Sequence, residues 1–265
     1  MDISALHRYL DHPAEAAGWL AGWQLDDVER GHGNLVRVAL SGITLDLLAI
    51  ICDQLAEQLP AEVLAELSKS ITTLVQTGIA QQSVKVGERA PDFTLPDVFG
   101  KPVALSELLK HGPVVLTFYR GEWCPFCNLT LRAYQRILPQ IRALGASLVA
   151  VSPQTPEHSL STVEKKELTF TVLSDVGNIV ARKYRLVFTL EQTIRTLYTT
   201  IGSDLPSFNG DPSWELPMPA TFLLAQDGTV RLAFVDEDFT HRLEPATLLD
   251  GLRALGSNGP MKTNR

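Results

Sequence analysis

The sequence has little of several things that would define other classes of protein. It contains three cysteines in 265 residues, too few for the disulfide framework of a small secreted domain. It has no excess of positive charge, since its formal net charge is -7, so neither nucleic acid nor an anionic membrane surface is an expected partner. No apolar run approaches the ~20 residues of a membrane span, and no signal peptide follows Met1. We therefore expect a cytoplasmic protein.

The amino-terminal part of the chain has helical character and no chemical motif. Apolar side chains recur at helical spacing over residues 1–83, with a helix start at Pro60 and an end near Gly78. Cys52 lies on an apolar stretch of this segment and is interpreted as a packed side chain. We expect a helical extension that forms either a small domain or the surface of a homodimer.

Residues 84–255 have the alternating pattern of an α/β domain. From residue 113 onwards the predicted order is strand, helix, strand, helix, strand and helix, then a hairpin at Asp227-Gly228 and a last helix. Crossover helices imply parallel central strands, and the hairpin adds an antiparallel edge. The order predicts a thioredoxin-like sandwich with a central mixed sheet. We expect this domain to carry an insertion at about 187–217 and to be followed by a flexible tail, 256–265.

The motif with the clearest chemistry is Cys124-Pro125-Phe126-Cys127, at the junction of a predicted buried strand and a helix. Pro125 fits the first helical position, where its missing N–H would be unpaired anyway, so Cys124 becomes the N-cap. Free backbone N–H groups and the positive end of the helix dipole then favour the thiolate of Cys124. Cys127 lies one turn further on, within reach of a disulfide.

The residues before the dithiol are candidates for shaping the site. Arg120 would add positive potential, whereas Glu122 is expected to point into solvent, and Trp123 adjoins the first sulfur. The alternatives to a redox dithiol are an inert buried pair and half of a zinc site. A histidine pair near the amino terminus lies before the cysteines and far from them, which is the wrong arrangement for a compact zinc module. We expect no metal.

Five segments carry a resemblance to a known family. Together they resemble the alkyl hydroperoxide reductase/thiol-specific antioxidant family, which comprises peroxiredoxin-like proteins of the thioredoxin superfamily. The dithiol segment is similar to a branch of that family with two vicinal cysteines. The resemblance implies a thioredoxin fold and peroxidase chemistry over about residues 84–255. The segments are VGERAPDFTL (86–95), GKPVALS (100–106), YRGEWCPFC (119–127), VAVS (149–152) and VLSD (172–175).

The site departs from the family pattern. Peroxiredoxins place a Pro and a Thr before the peroxidatic cysteine in a P-x-x-x-T-x-x-C loop, but here Arg120 follows the Phe-Tyr pair and Gly121 takes the Thr position. The family's arginine on the strand near Thr221 is also missing. The Glu-Trp-Cys sequence resembles thioredoxin, and Cys-Pro-Phe-Cys resembles glutaredoxin. The matching segments outside the dithiol therefore favour a peroxidase, whereas the sequence of the dithiol itself resembles that of a disulfide reductase.

Four more residues are candidates for the site: Pro219 and Met218 as residues that shape it, and Asp175 and Trp214 at a lower rank. Thioredoxin-like proteins place a cis-proline before a core strand, facing the dithiol, so Pro219 is expected to be cis and Met218 to border the site. Asp175 is expected to cap the helix that follows it rather than to hydrogen-bond near the dithiol. Trp214 either roofs the pocket or packs in the core.

Three functions fit these observations. In a thiol-dependent peroxidase, Cys124 attacks a peroxide, Cys127 resolves the product to a disulfide, and an external thiol of the thioredoxin, glutaredoxin or glutathione type restores the pair. In a thiol–disulfide oxidoreductase, the same dithiol reduces a substrate disulfide. The third function is a non-catalytic redox sensor or binding module. No prosthetic group or other cofactor is expected for any of the three.

Overall fold

The computed structural model of the chain describes residues 61–200 and 203–256. The predictions for residues 1–60, Cys52 among them, and for the tail beyond residue 256 lie outside the described residues. The helices are α1 (Ala61–Gln76), α2 (Ile79–Gln82), α3 (Leu105–His111), α4 (Pro125–Ala143), α5 (Pro156–Lys166), α6 (Ile179–Lys183), α7 (Gln192–Thr200), α8 (Leu205–Asn209) and α9 (Pro245–Gly256). The strands are β1 (Thr94–Pro96), β2 (Pro102–Ala104), β3 (Val114–Phe118), β4 (Ser147–Ser152), β5 (Thr171–Ser174), β6 (Val187–Thr189), β7 (Glu215–Pro217), β8 (Ala220–Leu224) and β9 (Val230–Val235).

Five strands form the central sheet, in the order β5-β4-β3-β8-β9. Strand β3 runs parallel to β4, and β4 runs parallel to β5, through crossover helices α4 and α5. Strand β8 is antiparallel to both β3 and β9, with Thr117 opposite Thr221 in the first pair. The hairpin predicted at Asp227-Gly228 joins β8 to β9, and Gly228 takes the positive φ of 82° that its turn requires. The mixed sheet is therefore the predicted one.

The sheet is covered on both faces, which explains why its central strands are apolar throughout. Side chains on β3 alternate between two core clusters: Val115 belongs to the cluster with α4 and α9, whereas Leu116 and Phe118 belong to the cluster with α3 and α6. All five residues of β3 are buried. The central strand is thus rigidly held, and the loop that leaves its carboxyl end begins from a fixed position.

The described part of the amino-terminal segment is helical, and the predicted helix end near Gly78 is confirmed, because α1 runs to Gln76 and Gly78 N donates to Val75 O at 3.1 Å. Helix α1 packs against α7, the longest helix of the insertion. Strands β6 and β7 pair antiparallel at the base of the insertion, with Val187 opposite Pro217, so its two ends lie side by side. Among the described helices, none is long and apolar enough to cross a membrane.

Asp175 serves as a helix cap, as the sequence predicts. Its buried carboxylate accepts hydrogen bonds from the backbone N–H groups of Val180 at 2.9 Å and Ala181 at 2.8 Å, at the start of α6. These N–H groups have no partner within the helix, so the carboxylate supplies the acceptor that they lack. Asp175 therefore holds α6 against the sheet and does not take part in the dithiol site.

Replacing Asp175 by alanine should lower the free energy of unfolding by about 1–2 kcal/mol, because two buried donors lose their acceptor. Urea unfolding followed by circular dichroism measures the loss. The matched control is Asp204→Ala at the start of α8, where an exposed side chain accepts one longer bond of 3.4 Å from Ser207 N. An equal loss in the two variants would contradict this account of the buried cap.

Candidate active site

Cys124 lies where the sequence places it, at the junction of β3 and α4. It is the N-cap of α4, with φ -92° and ψ 110°, and Pro125 occupies the first turn. The Cys124 carbonyl accepts the first helical hydrogen bond, from Asn128 N at 3.1 Å. The amino terminus of a helix carries about half a positive elementary charge, and this charge favours an anion at the cap. Backbone geometry alone therefore favours the thiolate of Cys124.

Arg120 supplies a full positive charge to the same sulfur. Its Nη2 donates to Cys124 Sγ at 3.5 Å, and the side chain is only 3% exposed. Aromatic rings surround the guanidinium, with the ring centre of Phe239 at 3.9 Å and that of Trp123 at 5.0 Å. Within the described residues, no carboxylate forms a salt bridge with Arg120. A buried cation costs several kcal/mol unless an anion compensates it, and a thiolate on Cys124 would supply such an anion.

The thiol groups of Cys124 and Cys127 have pKa values that are shifted in opposite directions. Burial alone would raise the pKa of Cys124, but a hydrogen bond from Cys127 and the charges of Arg120 and Arg242 outweigh it and hold that pKa well below its ordinary value. Burial and the neighbouring Cys124, through its hydrogen bond and its charge, raise the pKa of Cys127 well above the ordinary value. Both cysteines are free of disulfides. The reduced site thus favours the thiolate at Cys124 and the thiol at Cys127.

Arg242 is the site residue that sequence reasoning missed. It comes from the loop between β9 and α9, and its Nη2 donates to Cys127 Sγ at 3.6 Å. The backbone N–H of Arg120 also donates to this sulfur, at 3.5 Å. An arginine thus reaches the dithiol from the loop before α9, and not from the strand near Thr221. An arginine beside a histidine in a polar loop is normally solvated, so the sequence carries no local signal of this contact.

Aromatic side chains roof the dithiol, and one of them comes from the insertion. The ring of Tyr198, on α7, lies 5.2 Å from that of Trp123, and Phe126 lies 6.0 Å from Phe239. As a result Cys124 is 0% exposed and Cys127 is 1% exposed. The insertion therefore contributes to this roof through Tyr198, and not through Trp214, the residue that the sequence offers for that place.

A small cavity lies beside Cys127. Its volume is about 10 Å³, enough for a single water molecule. Cys127 supplies the sulfur of its wall, together with the guanidinium of Arg242 and the rings of Pro219 and Phe234. Three threonines on β3, α4 and β8 add hydroxyl groups: Thr117, Thr130 and Thr221. The cavity thus places a water-sized space against Cys127, whereas Cys124 is not among the residues that line it.

Pro219 lies near the dithiol, as the sequence predicts, but the predicted cis peptide bond is wrong. Pro219 lines the cavity next to Cys127, directly before β8, but the described residues contain no cis peptide bond. Met218 N donates to Leu186 O at 2.8 Å, which keeps the chain extended as it leaves β7 and enters β8. The trans isomer, favoured by about 0.5–1 kcal/mol for X–Pro, fits that extended path.

Two other candidates do not line the cavity. Met218 is fully buried in the core cluster with α3 and α6, on the other face of the sheet. Trp214 is half-buried against the core cluster that contains the cysteines, and its carbonyl accepts a hydrogen bond from Leu190 N at 3.0 Å. Of the two interpretations of Trp214, the structure supports packing.

The sequence predicts that Glu122 points into solvent, and the structure shows that this prediction is wrong. Its side chain is 12% exposed and lies 3.5 Å from Lys165 Nζ and 3.8 Å from His158 Nδ1, both on α5. Its backbone N–H donates to Gln154 Oε1 at 2.9 Å. Helix α5 therefore holds this carboxylate and fixes the loop before Cys124. The sequence interpretation failed because it treated the loop alone, without the helix that packs against it.

Gly121 should not tolerate a side chain. Its φ is +152°, and a Cβ there would lie 2.4 Å from Trp123 Nε1. Gly121→Ala should therefore displace the indole and lower the free energy of unfolding by about 1–3 kcal/mol, measured by thermal unfolding. Gly87→Ala is the matched control: its φ is +90°, and its Cβ would meet nothing within 4 Å. Equal losses would show that the indole imposes no constraint.

Comparison with solved structures places the fold. Peroxidoxin BcpB from Mycobacterium tuberculosis is 24% identical, with a TM-score of 0.51 over 64% of this chain and 97% of that one. A mutant of peroxiredoxin 6 from Arenicola marina is 16% identical, with a TM-score of 0.51 over 65% of this chain and 74% of that one. Fold and site together define a thioredoxin-fold protein with a buried dithiol at a strand–helix junction.

Sequence comparison adds the family. Residues 86–233 match the model of the AhpC/TSA family, and the chain belongs to that family. A chloroplastic peroxiredoxin Q from Sedum lineare is 30% identical over 151 residues, 57% of this chain and 69% of the relative. Another from Triticum aestivum is 35% identical over 108 residues, 41% of this chain but only 49% of the relative. The chain thus spans between about half and two thirds of these relatives.

Proposed function

We propose that the chain is a thiol-dependent peroxidase. The Cys124 thiolate attacks one oxygen of a peroxide and breaks the O–O bond. The sulfur becomes a sulfenic acid, and the departing alkoxide takes a proton to leave as an alcohol, or as water from hydrogen peroxide. Cys127 then attacks the Cys124 sulfur, forming the disulfide, and the departing hydroxide leaves as water with the proton of Cys127. The peroxide gains two electrons and the dithiol loses two.

The observation that carries this proposal is an ionised sulfur in a closed site. Cys124 is 0% exposed and contacts the guanidinium of Arg120, and the space beside Cys127 holds about one water molecule. Hydrogen peroxide, with two heavy atoms, needs a smaller opening to reach Cys124 than a disulfide on a protein surface does. Membership of the AhpC/TSA family and the peroxiredoxin Q relatives support the same reaction.

The second candidate, a thiol–disulfide oxidoreductase, has one observation in its favour. Cys127 lies in the first turn of α4 behind an N-cap thiolate, which is the arrangement needed to release a mixed disulfide from Cys124. The burial of both sulfurs favours the peroxidase, because a substrate disulfide must reach Cys124 directly.

We also propose an external thiol reductant of the thioredoxin, glutaredoxin or glutathione type and a cytoplasmic location, where such thiols keep cysteines reduced. The reductant must reach one sulfur of the oxidised pair. We infer that the roof formed by Tyr198 and Phe239 moves when the disulfide forms. Association of two copies into a homodimer stays a prediction.

Rapid mixing of the reduced protein with hydrogen peroxide or with a small disulfide tests the peroxidase proposal. Trp123 adjoins Cys124, so its fluorescence should change as that sulfur is oxidised. We expect a fast change with peroxide and a slow one with the disulfide. Fast reaction with the disulfide and slow reaction with peroxide would favour the second candidate and contradict the peroxidase.

A further inference from the structure

The site contains more positive charge than a single thiolate needs. Arg120 contacts Cys124 Sγ and Arg242 contacts Cys127 Sγ, at 3.5 and 3.6 Å. Both side chains are buried, and within the described ranges neither forms a salt bridge with a carboxylate. Two guanidinium charges thus face one thiolate and one thiol in the reduced state. Arg242 also lowers the pKa of Cys124, but the sulfur that it contacts is that of Cys127, which acts as a nucleophile only after Cys124 is oxidised.

The structure holds Arg242 in place for Cys127 rather than leaving it free to move between sulfurs. Its Nη1 donates to the carbonyls of Phe239 and His241, the latter at 2.6 Å. The neighbouring Leu243 carbonyl accepts from the hydroxyl of Tyr134, a buried residue of α4, at 3.3 Å. One nitrogen of the guanidinium is therefore held by two carbonyls of its own loop, and the other donates to the sulfur in the first turn of α4.

Oxidation of Cys124 changes which sulfur benefits from this charge. In the reduced site, burial and then the hydrogen bond and charge of Cys124 raise the pKa of Cys127, whereas Arg242 and Arg120 lower it. A sulfenic acid on Cys124 carries no negative charge. Once it forms, the repulsion from Cys124 is gone and the two guanidinium groups act on Cys127 alone. Burial still opposes ionisation of Cys127, but its thiolate forms more easily after Cys124 is oxidised than before.

We propose that Arg242 is a catalytic residue for the second chemical step, in which Cys127 attacks the oxidised Cys124, while Arg120 serves the first. The proposal rests on the peroxidase function. In this step the Cys127 sulfur donates an electron pair to form the S–S bond, the S–O bond of Cys124 breaks, and hydroxide leaves with the Cys127 proton as water. Arg242 stabilises the Cys127 thiolate from which the bond forms. The cavity lined by these two residues has room for one water molecule.

Stopped-flow fluorescence separates the two steps, because the first rate is proportional to peroxide concentration and the second is independent of it. In Arg242→Met, the ratio of the second rate to the first should fall about 10-fold, the effect of one pKa unit on Cys127. In Arg120→Met, the same ratio should rise, since the first step is the one impaired. Arg242→Lys keeps the charge and should restore part of the ratio. Arg231→Met, an exposed arginine on β9, is the control for loss of charge.

Two further readouts distinguish a catalytic role from a structural one. In Arg242→Met the second rate should rise with pH over a range where the unaltered protein is flat, and mass spectrometry should show more sulfinic acid on Cys124 at high peroxide. A ratio unchanged from that of Arg231→Met, or equal slowing of both steps, would overturn the proposal for Arg242. Absence of any peroxide-dependent first step in the unaltered protein would instead overturn the peroxidase function.

Discussion

Replacing Cys124 by serine should reduce peroxide consumption by at least about 1,000-fold, because a serine hydroxyl does not ionise near neutral pH and the thiolate is the nucleophile. The measurement is steady-state loss of hydrogen peroxide in the presence of a thiol reductant. Serine fits the N-cap of α4, but it leaves the buried guanidinium of Arg120 without its anion, so thermal unfolding of the variant should accompany the kinetics.

Cys127→Ser is the matched variant for this experiment, since it has the same chemical change one helical turn away. It should keep the first oxidation and then stop with a sulfenic acid on Cys124, which a sulfenic-acid-trapping reagent and mass spectrometry would detect. The roles assigned to the two sulfurs would be wrong if Cys124→Ser kept its turnover, or if Cys127→Ser lost the first oxidation while remaining folded.

Replacing Arg120 by methionine should slow the first oxidation at neutral pH by about 10- to 100-fold, corresponding to one or two pKa units on Cys124. The sign follows from the charge: the guanidinium holds the pKa of Cys124 well below its ordinary value, so its removal raises that pKa. The rate should then increase with pH through the neutral range, whereas in the unaltered protein it should already be constant there. The first-phase rate in stopped-flow fluorescence, measured as a function of pH, tests this expectation.

Arg231→Met, which removes an exposed arginine from β9, controls for the change in net charge. It should leave both the rate and its pH profile unchanged. Arg120→Met also removes a cation from between the rings of Trp123 and Phe239, so thermal unfolding should accompany the kinetics. A rate lowered equally at all pH values would show that Arg120 acts through packing and not through its charge.

The fold could be predicted from the sequence because its signals are local. The apolar run from Val114, the helix start at Pro125 and the hairpin at Asp227-Gly228 each specify their own element. Strand order then follows from the crossover and hairpin rules. The N-cap position of Cys124 is a local property too, and the structure places the sulfur where the Cys-Pro pair requires it.

The rest of the site could not be predicted, because it is assembled by elements far apart in the chain. Arg242 lies 115 residues from Cys127, on the loop before the last helix, and Tyr198 reaches the roof from the insertion. Glu122 was misjudged for the same reason, since its partners lie on α5. A single sequence has no signal that pairs such positions. The expected cis-proline was an analogy with thioredoxin-like proteins that this chain does not follow at Pro219.

The ultraviolet absorbance of the Cys124 thiolate, followed in reduced Cys127→Ser as the pH is lowered, tests the central claim most directly. If the helix terminus and the buried guanidinium hold this sulfur ionised, the absorbance should persist through neutral pH and disappear only in acid. Loss of the absorbance near ~8.5, where a free cysteine titrates, would show that the buried sulfur is an ordinary thiol and would contradict the account.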